Sequence, residues 1–147
     1  MAYVTNADIE NRLGTRTYVQ LTDDEGTGSA DTDKVDEARL GAEGEVDSYL
    51  ARRHAVPIDV ATHTELAGVL ASITLDIVAF RLHCRRPPVP AEILTKHDAA
   101  IDWLRQVAAG TVVLPADSAL PDNAVRGPHA EVGGQKRVFT EETLESL

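Results

Sequence analysis

The sequence predicts a mainly α-helical protein: a small helical bundle around a long central helix, followed by an extended C-terminal arm. Three observations carry this. Apolar residues recur at three- and four-residue steps through the middle of the chain, at Leu66, Val69, Leu70, Ile73, Ile77, Phe80 and Cys84. Proline and glycine separate the periodic stretches, and no period persists beyond Leu114. The 147 residues are 43% hydrophobic but only 4% aromatic, so the core must be aliphatic. This length suits a single domain, placed at residues 1–114, with residues 115–147 as the arm.

Thr5 and Asp8 have capping-box spacing and open a short helix that runs to Leu13 and stops at Gly14; Val4, Ile9 and Leu13 can dock it on the bundle. Tyr18, Val19 and Leu21 form a short apolar stretch that suits either helix or strand. Thr22–Asp33 is rich in Gly, Ser, Thr and Asp and reads as a loop. A helix from Asp33 to about His54 follows, with Val35, Ala38, Ala42, Val46, Tyr49, Leu50 and Arg53 along one face. Gly41 and Gly44 inside it each cost about 1 kcal/mol relative to Ala, which implies a bend or a close-packed backbone.

The central helix spans Thr62 to Arg86, with Thr62 or Thr64 as its cap and Pro87-Pro88 as its stop. Ala67, Leu75, Val78 and Leu82 extend its apolar character round the other sides, the mark of a helix buried between neighbours. Asp76 and Arg81 interrupt it, which makes it a poor membrane span. Pro90 or Ala91 starts the last helix, which ends near Ala109 before Gly110. Its stripe is Ile93, His97, Ala100, Leu104 and Val107, with Trp103 covering the bundle edge. Val112-Val113-Leu114 reads as a strand or a plug, and Val138, Phe139 and Leu144 give the arm an apolar tip.

The formal net charge is −10. Nucleic-acid binding by counterion release needs clustered Lys and Arg, which such a chain lacks. Ten of its acids fall between Asp23 and Asp47, as a solvated face or a surface turned towards a partner or towards DNA that must not stick. The single cysteine, Cys84, excludes an internal disulfide and is expected to be a small buried hydrophobe. The polar residues after Val4 give no sign of a signal peptide, and the expected compartment is a reducing cytoplasm.

Two constellations suggest chemistry. With Asp23 at position 1 of a calcium loop, Glu25, Thr27, Gly28 and Asp31 fall at positions 3, 5, 6 and 9. Position 12, however, is Lys34, where a bidentate Glu is required. His97-Asp98 is the dipeptide of metal-dependent HD phosphohydrolases, but consecutive helical residues diverge by about 100° and no ligand shell is visible. Neither a calcium module at 23–34 nor an HD-type hydrolase is therefore the preferred reading, and no catalytic, metal or cofactor site is assigned. Asp76 and Arg81, five apart, need partners from elsewhere. Arg52, Arg53 and Glu65 are candidates, and an internal pair is preferred to an intersubunit one. Arg52, Arg53, Asp76, Arg81, Val138, Phe139 and Leu144 are the candidate interaction residues.

The order of these landmarks resembles a known family. Ala2-Tyr3-Val4-Thr5 with Ala7-Asp8-Ile9 is followed by Gln20-Leu21-Thr22-Asp23, an acidic Gly-rich turn, and Glu45 to Arg53 (EVDSYLARR). Pro57, Leu75 to Leu82 (LDIVAFRL), a proline corner, Trp103-Leu104 and Val107-Ala108-Ala109-Gly110 complete the set. It is similar, from Met1 to Leu114, to the Mu-like phage and prophage family of small head–tail connector, or adaptor, proteins. The resemblance implies a helical, non-enzymatic virion subunit, present in the host cytoplasm before assembly, that forms a ring, commonly of twelve copies, on the portal protein. Such a ring extends the channel through which DNA passes without specific binding, and presents a platform to the next tail-completion protein. The family usually has an aromatic where His97 stands, which implies a packing role for that position.

Overall fold

A computed structural model describes residues 3–115. Five helices follow one another: α1 (Asn6–Leu13), α2 (Thr15–Thr22), α3 (Thr32–Leu50), α4 (Thr64–Cys84) and α5 (Ala91–Ala109). No strand occurs among the described residues. The expected mainly α bundle around a long central helix is what forms, and Tyr18 to Leu21 lie in a helix.

The three long helices pack on one another, and α1 and α2 close over α3 and α4. Phe80, late in α4, meets His97, early in α5, while Arg53 just past α3 reaches the last carbonyls of α5. So α3 and α5 run in the same direction and α4 runs against them. By length and composition α4 passes for a membrane span, yet its apolar sides face the four other helices. Leu70, Ile77, Val78 and Leu82 of α4 are fully buried with Val46 and Leu50 of α3, Leu104 and Val107 of α5 and Ile9 of α1.

Local chemistry sets the ends of these helices. Thr5 and Asp8 form the reciprocal capping box, and the Asp8 carboxyl is held below its usual range by hydrogen bonds from Thr5. Gly14, at φ 79°, ends α1 and starts α2 in a conformation that glycine adopts freely. Asp31 caps α3 by accepting from the N–H groups of Asp33 and Lys34.

Helix α3 ends at Leu50, four residues short of His54; Arg53 and His54 instead close a turn on the Leu50 carbonyl. Helix α4 starts at Thr64 rather than Thr62, and neither threonine caps it. The Thr62 hydroxyl is held by Asp59, and the cap position falls on His63, whose side chain makes no capping bond. At the far end Leu114 plugs the core while Val113 is exposed, so the Val112 to Leu114 stretch is a plug and not a strand.

Cys84 is exposed, not buried as its spacing suggests. Leu70 and Ile77 are fully buried, but Cys84 is the last residue of α4 and faces an open space between the ends of α3 and α5. No other backbone packs closely on Gly41 or Gly44: the Arg81 guanidinium lies over Gly41, and among the described residues no atom outside the local helix backbone comes within 4 Å of a side chain built at Gly44.

Candidate functional site

A groove lies at this end of α4. Phe80, Arg81, Cys84 and Arg85 of α4 face Lys34, Glu37, Ala38 and Glu45 of α3 and His97 of α5 across a space of about 600 Å³. The His97 ring stacks on Phe80 with centroids 3.9 Å apart and planes 26° from parallel. Both residues are half-buried, so the stack borders the groove instead of lying in the core. Its walls are charged. Arg81 donates to Glu45 at 2.9 Å, and Arg85 pairs with Asp24 and also donates to the Leu21 carbonyl at 2.8 Å. Lys34 forms no ion pair among the described residues. An apolar floor with charges of both signs can hold an amphipathic segment.

Gly41 sets the position of Arg81. A methyl group there would lie 2.7 Å from Arg81 Nη1. Gly41→Ala therefore pushes the guanidinium away from Glu45. An exposed pair of this kind contributes about 0.5 kcal/mol, while alanine inside a helix gains about 1 kcal/mol over glycine. Thermal denaturation of the variant should show no loss of stability and a gain below about 1 kcal/mol. A loss instead would mean that the Arg81–Glu45 contact holds α3 on α4.

The candidate interaction residues that are described do not converge, and of these Arg81 alone lines the groove. Arg52 is exposed. Arg53 donates from Nε to the Ala108 carbonyl and from Nη2 to the Ala109 carbonyl, both at 3.3 Å, against Gly110 at φ 82°. Asp76 pairs with Arg12 of α1 at 2.5 Å. Internal pairing of Asp76 and Arg81 is what the sequence favours, but the partners are Arg12 and Glu45, not Arg52, Arg53 or Glu65. Arg53 is occupied at the end of α5, and Glu65 lies beside His63 at 3.5 Å. Val138, Phe139 and Leu144 lie outside the described residues. Lys34, Phe80, Cys84 and Arg85 are not singled out by sequence as site residues, because spacing along one helix does not say where its neighbours leave a gap.

The acidic run is mostly neither a free solvated face nor a bare partner surface. Glu43 accepts from the backbone N–H groups of Tyr3 and Val4 at 3.0 and 3.5 Å, and Asp47 accepts from the Tyr3 hydroxyl at 2.5 Å. Asp36 accepts from Asn6 and Arg39, which hold its carboxyl below the usual range. These acids strap the start of the chain along α3. Asp24 takes Arg85 and Arg86 and ties the loop after α2 to the end of α4. Glu25, Asp33 and Glu37 pair with no cation among the described residues.

The residues of the two metal readings have other partners. Asp23 accepts from the N–H groups of Gly28 and Thr27 at 2.7 and 3.0 Å, and these bonds depress its pKa; Asp31 is the α3 cap. His97 packs on Phe80, and its Nδ1 lies 3.2 Å from an exposed Asp98. Among the described residues no three His, Cys, Asp or Glu side chains gather as metal ligands.

A family model described as Bacteriophage Mu, Gp36 matches residues 3–130 of this chain. The match covers the whole bundle and continues past Leu114. No curated protein sequence matches the chain.

Proposed function

From membership of the Bacteriophage Mu Gp36 family, to which this chain belongs, we propose that this Mu-like phage protein is a structural head–tail connector. In this reading copies of the bundle form a ring on the portal protein at the capsid vertex, twelve in the assembled virion. The ring lengthens the DNA channel and gives the next tail-completion protein its platform. The protein works through surfaces and carries out no reaction, and DNA passes it without being bound specifically.

The family match over most of the chain is the observation that carries this reading. The local chemistry is in keeping with it. The carboxylates and histidine that a calcium site or an HD hydrolase would need serve instead as caps, loop closures and a ring stack. The polar groups of α3 and α4 join helix to helix, and the groove between them suits a peptide segment.

Deleting the gene from its phage tests the proposal. DNA-filled heads and free tails, unjoined, are expected by electron microscopy of the lysate, and the full chain supplied in trans should restore complete particles. Normal numbers of complete particles from the deletion phage would overturn the reading.

A further inference from the structure

We propose that the groove between α3, α4 and α5 is the seat of this chain's own residues 138–147, which occupy it in the free protein. The groove has an apolar floor, the Phe80–His97 stack. Three cations, Lys34, Arg81 and Arg85, line it with two carboxylates, Glu37 and Glu45. Arg81 pairs with Glu45 and Arg85 with Asp24, while Lys34 forms no ion pair among the described residues.

Residues 138–147 read VFTEETLESL. They supply Val138, Phe139 and Leu144 for the floor, with Glu141, Glu142 and Glu145 and no cation for the walls. Charge and apolar pattern are thus complementary to the groove. Reach is not limiting. The described chain stops at Pro115, after α5, and residues 116–137 can span roughly 70 Å when extended. Attachment to the same molecule gives the segment a millimolar effective concentration, which a second copy at micromolar concentration cannot match. This inference concerns the free protein and does not depend on the connector reading.

Cys84 stands in the groove and is the chain's one cysteine, so it serves as a native reporter. Thr143→Cys and Ala130→Cys each add one thiol beyond the described residues. The groove lies by the start of α5 and Pro115 lies past its end, so the comparison position must have slack; a tether from 115 to 130 has a root-mean-square reach of roughly 21 Å, enough to return along α5 to Cys84. A tether without a seat would therefore crosslink 130 to Cys84 at least as fast as 143. Docking should instead give an intramolecular disulfide at 143 about tenfold faster than at 130 under mild oxidation, read on a non-reducing gel. Adding Glu141→Lys, Glu142→Lys and Glu145→Lys should erase that difference. Equal rates at the two positions, a faster reaction at 130, or disulfides at 143 that join only separate copies would overturn the proposal.

Discussion

Ile77→Ala should cost about 3 kcal/mol and lower the melting temperature by about 10 °C. Ile77 is fully buried near the middle of α4, where the helix meets neighbours on several sides. Removing its side chain beyond Cβ loses apolar burial and leaves a hole that three packed helices cannot close by collapsing from one side. Ile77→Val should cost only about 1 kcal/mol, because a single methylene is removed. Leu94→Ala, at a position 47% exposed, should change stability by less than about 0.5 kcal/mol. Chemical denaturation of the three variants checks the order. A cost for Ile77→Ala near that of Leu94→Ala would mean that α4 is not the centre of the core.

Tyr3→Phe should cost about 2 kcal/mol, far more than a surface hydroxyl. The Tyr3 hydroxyl donates to Asp47 and accepts from the N–H of buried Ile58 at 2.9 Å. It thereby joins the start of the chain, α3 and the α3–α4 link. Phenylalanine leaves that N–H without its acceptor, and this desolvation penalty is the larger part of the cost. Burial first, and then the bond to Asp47, raise the Tyr3 pKa well above its ordinary value of 10. The folded state therefore keeps a proton that the unfolded chain releases above pH 10. This contribution is fully present below pH 10 and is lost as the pH rises towards the folded-state pKa. Stability of the natural protein should fall along that alkaline limb, and Tyr3→Phe should flatten it. Tyr18, also raised by burial, retains a smaller slope. Identical alkaline limbs in the two proteins would count against the placement of Tyr3.

The fold was legible wherever one physical signal dominated. The helical period and all-round apolar character of α4 marked a buried central helix, the Thr5–Asp8 spacing marked a cap, and Gly110 marked a stop. Misreadings arose where local and tertiary demands compete. Arg52 to His54 continue the α3 pattern, but Arg53 is drawn across to the carbonyls of α5 and the helix has already ended. Thr62 looks like a cap until Asp59 takes its hydroxyl. Spacing alone could not separate Ile77, which is buried, from Cys84, which is not, because that depends on where the neighbouring helices lie. For the same reason the groove was largely illegible. Its residues come from three helices, and the sequence contains no statement of which faces meet. The identity of the counter-charges was hidden too, since Arg12 lies 64 positions from Asp76.

The clamp at the end of α5 bears on how the protein carries load. A pull on the chain beyond Leu114 meets that buried plug first and the Arg53 fork on Ala108 and Ala109 next. Peeling α5 from this end must therefore draw Leu114 out of the core and break both bonds of Arg53, which couples the last turn of α5 to the segment just past α3.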